Sequence, residues 1–97
     1  MAGMHRMVHA AKNRMYYVYI LKSKKDSKLY IGYSSDLKKR FREHQDGEVR
    51  STKPRRPFEL IFYEAYKSRF DAKRREKYFK TDKGKTTIKT MLRNSLI

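Results

Sequence analysis

The sequence predicts a small α/β domain: a three-stranded antiparallel sheet flanked by helices. Three observations predict it. Two short runs of β-branched and aromatic residues are joined by a polar loop, a third such run follows, and apolar residues recur at helical spacing between and after them. A chain of 97 residues holds one domain with one modest core. No internal repeat or second-domain boundary interrupts it.

The first strand is expected over Met15 to Lys22 and the second over Lys28 to Tyr33, with Ser23 to Ser27 as the hairpin connection. Alternation sends Tyr17, Tyr19 and Leu21 to one face and Tyr16, Val18 and Ile20 to the other. Pairing of the two strands then brings Tyr19 and Tyr30 toward one pocket. Gly32 weakens the second strand and marks a close approach by a ligand or another backbone.

Ser34-Ser35-Asp36 supplies an N-cap for a helix that carries Leu37, Arg40, Phe41 and His44 on one face. An arginine and a histidine on a core-facing stripe are costly to desolvate unless an anion meets them. Gly47 to Pro57 reads as a surface loop, because Pro54 and Pro57 break regular structure. Its Arg50, Lys53, Arg55 and Arg56 suit phosphate contacts or simple solvation.

Phe58 to Tyr66, nearly continuous in apolar and aromatic residues, reads as a third strand with substantial burial. Glu64 within it is a strand-end or face-directed carboxylate. Ser68 caps a second helix with Asp71 in a capping-box-like position, and Ala72, Glu76 and Phe79 form its inward stripe. An inward carboxylate there serves either an ion pair, for instance with Arg40, or a metal. A turn from Thr81 to Gly84 leads to a last helix whose Ile88, Met91, Leu92 and Leu96 complete the core.

Composition points to a polyanionic partner. The formal net charge is +16, from 26 Lys and Arg against 10 Asp and Glu. Solubility of a small domain needs a magnitude of only about 2–8, so the excess calls for nucleic acid, whose counterions are released on binding. Charge alone does not separate a nuclease from a basic binding module or a ribosome-associated protein. Without cysteine there are no disulfides or thiolate metal sites. No apolar run approaches the ~18 residues that span a membrane. Residues 1–14, with Arg6, Lys12 and Arg14, lack the apolar core of a signal peptide and read as a basic extension, a passive tail or a DNA-gripping arm, ahead of a domain over 15–97. The default compartment is cytoplasmic.

With these residues in order, the chain resembles the GIY-YIG nuclease superfamily. The first family triplet stands here as Tyr17-Val18-Tyr19 and the second as Tyr30-Ile31-Gly32. The helix arginine matches Arg40, the histidine found in several members matches His44, and the metal-binding glutamate matches Glu76 within Ala72 to Lys80. The likeness runs from Met15 to Lys85 and is nearest to the small stand-alone bacterial members. Two positions depart: Tyr17 replaces the leading glycine, and Ile88 stands where many members carry asparagine.

The resemblance implies a central sheet whose catalytic face is built by the hairpin and the first two helices. It implies metal-dependent hydrolysis of phosphodiester bonds in DNA, with RNA as the second candidate and Mg²⁺ or Mn²⁺ as cofactor. Tyr30 would take a proton from water with help from Tyr19, Arg40 would clamp the phosphate, His44 would position water or a phosphate oxygen, and Glu76 would hold one metal ion. Gly32, Arg50, Lys53, Arg55, Arg56 and Lys80 form the expected nucleic-acid-contacting set. No zinc site or helix-turn-helix segment accompanies the core, so specificity would come from DNA structure or a protein partner, or be low. The rival from another class is a non-catalytic nucleic-acid-binding module on the same scaffold.

Overall fold

The computed structural model describes residues 14–97; the expected basic extension, except for exposed Arg14, lies outside the described residues. Three strands, β1 (Tyr16–Ser23), β2 (Leu29–Ser34) and β3 (Phe58–Tyr66), form one antiparallel sheet in the order β2-β1-β3. Helix α1 (Leu37–Asp46) lies between β2 and β3 in sequence, and α2 (Arg69–Phe79) and α3 (Asp82–Met91) follow β3. A single 3-10 turn, Lys53–Arg55, interrupts the loop before β3. The predicted strand bounds hold to within one residue.

Central strand β1 is paired on both edges, and its Val18, Tyr19, Ile20 and Leu21 are buried. The period of two splits them between two layers. Val18 and Ile20 pack with Ala72 and Phe79 of α2, Ile88 of α3 and Leu92, while Tyr16 lies against that cluster. Tyr19 and Leu21 pack with Phe58 on the opposite face, against Leu37 and Phe41 of α1. Each fully buried aliphatic or aromatic side chain contributes about 1.5–3 kcal/mol, so a register slip that exchanged the faces would forfeit both layers.

The helix boundaries follow local chemistry. Asp36 caps α1 by accepting from the Lys39 backbone N–H at 3.1 Å, and Gly47 ends the helix at φ 80°, a left-handed conformation that favours glycine. Ser68 caps α2 by accepting from Phe70 N–H at 3.2 Å.

Three expectations need correction. Strand β3 is not substantially buried: it is an edge strand, only Phe58 is fully covered, and Tyr63 is 54% exposed. Its aromatic run reads as core because β propensity does not distinguish an edge from a centre. The expected turn over 81–84 is instead the start of α3, with Thr81 accepting from Gly84 N–H at 3.0 Å. Gly84 is buried inside that helix, pressed against the α2 backbone at Tyr78 and Phe79, where a side chain would collide. Met91 ends the helix 40% exposed rather than in the core.

Candidate active site

The hairpin register sets Tyr19 opposite Gly32 and Leu21 opposite Tyr30. Gly32 has no side chain, and the Tyr19 ring occupies the space that a Cβ there would need. The glycine is therefore a seat for the buried phenol. The Tyr30 ring lies beside it with centroids 6.3 Å apart, and both rings meet the His44 imidazole, at 5.7 Å from Tyr19 and 5.0 Å from Tyr30. Helical spacing on α1 sends Leu37 and Phe41 into the core and buries His44 completely. Arg40, on the same helix, stays at the margin with 38% of its side chain exposed.

A chain of hydrogen bonds runs through the buried part. Tyr19 Oη lies 2.8 Å from His44 Nε2, and His44 Nδ1 lies 2.8 Å from Thr52 Oγ1. The Thr52 hydroxyl is 3.3 Å from the Val49 carbonyl oxygen. One proton assignment satisfies all three contacts. Thr52 donates to Val49, His44 Nδ1–H donates to Thr52, and the Tyr19 phenol donates to Nε2.

Electrostatics agree with that assignment. Burial, and then the Arg40 charge, push His44 down to about 4, so the imidazole is neutral near pH 7. Burial pushes Tyr19 up to about 12, against the opposing pull of the Arg40 guanidinium beside it. Tyr19 keeps its proton. Tyr30 is the half-buried phenol of the pair. Thr52 went unselected in the sequence, because an isolated loop threonine gives no periodic signal; only the fold brings it beneath His44.

Arg40 and Glu76 do not form the ion pair that an inward carboxylate invited. Arg40 Nη1 binds Glu43 Oε1 at 3.0 Å one turn along α1, and Glu76 Oε2 binds Lys80 Nζ at 3.0 Å one turn along α2. Glu76 is 22% exposed, and its charge reaches the phenols of Tyr19 and Tyr33, although it does not line the groove beside Arg40. That groove, of about 280 Å³, is lined by Tyr33, Ser34 and Ser35 and by two cations and two carboxylates, Lys39, Arg40, Asp36 and Glu43.

Among the described residues no three His, Asp or Glu side chains converge as a metal cage. Glu76 supplies one hard oxygen donor, and Mg²⁺ ordinarily takes one or two carboxylates and completes its shell with waters and substrate phosphate. Its pairing with Lys80, an exposed i,i+4 contact, is worth only about 0.3–0.5 kcal/mol and is readily exchanged. The donor set fits an ion completed by substrate.

The other expected contact residues divide. Arg55 is held by Asp26 at 3.3 Å and by the Leu29 carbonyl at 3.4 Å, and its guanidinium lies 5.9 Å from the Phe58 ring centre. Arg56 folds over Gly47 and donates to the carbonyls of Lys53 at 2.9 Å and Gln45 at 3.4 Å. Arg50, Lys53 and Lys80 are exposed. Glu64 is bound by Arg75 at 2.9 and 3.2 Å and accepts from the Tyr66 hydroxyl at 2.6 Å. No helix among the described residues is long and apolar enough to cross a membrane.

Residues 15–90 match the model of the GIY-YIG catalytic domain. The UPF0213 protein YazA of Bacillus subtilis is 44% identical over 66 residues, 67% of this chain and 66% of that protein, so the chain spans just under two thirds of that relative's length. A UPF0213 protein of Pediococcus acidilactici is 32% identical over 93 residues, covering 93% of this chain and 94% of its own. Among solved structures, the solution NMR structure of a UPF0213 protein from Bacillus halodurans superposes with a TM-score of 0.51 at 32% identity, covering 79% of this chain and 84% of that one.

Proposed function

This chain belongs to the GIY-YIG catalytic-domain family, and on that premise we propose that it is a metal-dependent endonuclease hydrolysing phosphodiester bonds in DNA. The observation that carries the reading is the meeting of Tyr19, Tyr30, Arg40 and His44, drawn from two strands and a helix, with Arg40 opening from this cluster into a polar groove. A +16 chain brings a polyanion to that groove.

The two phenols have different tasks. Tyr19 holds its proton and donates it to His44, so it serves as a fixed neutral group that orients its neighbours. Tyr30, the half-buried phenol of the pair, is the one that accepts the proton of the attacking water. Arg40 exchanges Glu43 for the scissile phosphate and stabilises the charge that develops there. His44, buried and bonded at both nitrogens, acts through Tyr19 and is a positioning residue. Thr52 positions His44 in turn. The residue that would hold a divalent ion, Mg²⁺ or Mn²⁺, is Glu76; when bound, such an ion polarises the phosphate and stabilises the leaving oxygen. Exposed Arg50 and Lys53 contribute charge along the backbone of the nucleic acid, Lys80 adds to it once Glu76 turns to a metal, Arg55 and Arg56 shape the loop, and Gly32 acts indirectly by seating the Tyr19 ring.

The test is nicking of supercoiled plasmid with Mg²⁺ or Mn²⁺, against an EDTA control and Tyr30→Phe. Metal-dependent nicking abolished by removing the Tyr30 hydroxyl is the expected result; nicking that survives it unchanged overturns the role of Tyr30. A second reading, a nucleic-acid-binding module without turnover, draws on Ile88. That side chain is sealed in the core between α2 and the sheet, and offers nothing to substrate where many members carry asparagine. Binding of DNA or RNA without cleavage under any metal condition would favour it.

A further inference from the structure

A second groove, of about 440 Å³, adjoins the first and has a different character. It is lined by Tyr17, Leu37, Lys38, Phe41, Leu60 and Tyr63, and it shares Ser35 and Asp36 with the polar groove. We propose that this aromatic groove receives an unpaired nucleobase next to the phosphate held at Arg40, making the chain selective for DNA with single-stranded character. The proposal rests on the nuclease reading for the position of the phosphate.

Register places the groove beside the catalytic phenols. Tyr19 pairs with Tyr63 across the β1–β3 ladder, and Tyr17, on the same face of β1, packs edge-on against Tyr63 with centroids 6.1 Å apart at 61°. Tyr63 is more than half exposed although nothing in an edge strand requires an aromatic ring to face water. The groove is large enough for a planar heterocycle, within the size range of small-ligand pockets of roughly 300–1,000 Å³.

The occupant follows from what the groove touches. Its walls are apolar and aromatic, while Lys38 and the neighbouring Lys39 and Arg40 crown the boundary it shares with the phosphate groove. The Asp36 carboxylate at that boundary is engaged as the α1 cap, accepting from Lys39 N–H. A ligand that is flat and apolar at one end and anionic at the other matches both grooves at once, and a nucleotide within a strand is that ligand. Bases inside a duplex have both faces covered by their neighbours, so only an unpaired or extruded base can stack on Tyr63. Stacking tolerates any base, which predicts preference for structure and not for sequence. Tyr17, the departure from the family triplet, walls this groove and gains a task.

The test uses the full chain in EDTA, so that binding is read without cleavage. Fluorescence anisotropy compares a blunt duplex with the same duplex carrying a single-stranded gap, and a 2-aminopurine placed in the gap reports stacking. The expected result is tighter binding of the gapped duplex and quenching of 2-aminopurine. Tyr63→Ala should weaken gapped-duplex binding by about 5- to 100-fold, leave blunt-duplex binding unchanged and abolish the quenching, while Tyr63→Phe retains all three. Equal loss on both duplexes, or no loss on either, overturns the proposal, as does a Tyr17/Tyr63 face that captures protein but no base. Plasmid nicking measured separately keeps the two readings apart. Cleavage without gap preference removes the nucleobase groove alone; gap preference lost in Tyr63→Ala without cleavage removes the catalytic reading alone.

Discussion

Two carboxylate–arginine systems draw on consecutive residues of α2, Arg75 and Glu76, and they behave differently. At one, Glu64 and Arg75 meet through two hydrogen bonds, Tyr66 adds a third, and the guanidinium lies 4.2 Å from the centre of the Phe79 ring. At the other, Arg40 and Glu76 both act on the Tyr19 phenol and leave each other unpaired, each held by a neighbour on its own helix. The first system is closed and serves the fold. On the proposed reading, the second is where a cation and an anion exchange their helix partners for an incoming phosphate and its metal. Residue type and partial burial are similar in both; what separates them is that Glu64 and Arg75 are joined across elements by two hydrogen bonds, whereas Arg40 and Glu76 each make a single contact within one helix.

The comparison breaks most sharply at the arginines. Arg40→Ala is expected to lower kcat for plasmid nicking by about 10²–10³-fold while stability stays within about 0.5 kcal/mol, read by single-turnover kinetics and urea denaturation. Arg75→Ala should do the reverse. It should cost about 1–2 kcal/mol of stability, discounted for the partial exposure of its pair, and leave nicking per folded molecule intact. Equal effects at the two positions would erase the distinction.

The pH dependence of stability sharpens it further. The folded-state pKa of His44 lies below its unfolded value, so the unfolded chain binds the extra proton first. Stability associated with His44 is present above about 6.5 and is lost as the pH falls toward about 4, by up to about 3 kcal/mol. Urea titrations at several pH values should show this slope in the wild type and its absence in His44→Gln.

A smaller effect is expected at Thr52. Thr52→Val leaves His44 Nδ1–H without an acceptor and should cost about 1–3 kcal/mol. It should also shift the ring nitrogen resonances of His44 toward the other tautomer, and Thr52→Ser should restore both. An unchanged nitrogen spectrum in the valine variant would show that Thr52 does not set the tautomer.

Most of the fold was legible because its signals are local. Strand alternation sorted Tyr16 through Leu21 onto two faces, and caps at Asp36 and Ser68 marked helix starts. Order within the sheet was not legible, since Phe58 to Tyr66 reads as core until β1 takes the centre. Gly84 misread as a turn for a related reason: its lack of a side chain serves helix packing, which only the fold displays. In the site, Tyr19, Tyr30, Arg40 and His44 were found by spacing and family likeness. Thr52 was not, because a partner reached across a loop leaves no pattern in the chain. The alternative weighed for Glu76, an ion pair with Arg40, did not form, since each side chain had a nearer partner on its own helix.

The most direct measurement sets the two carboxylates side by side: Mg²⁺-dependent plasmid nicking by Glu76→Gln and Glu64→Gln, each corrected for folded fraction. The expected result is loss of nicking in Glu76→Gln and wild-type nicking in Glu64→Gln. Equal nicking by both, or loss only in Glu64→Gln, would contradict the assignment of Glu76 and Arg40 to a site that grips phosphate and metal.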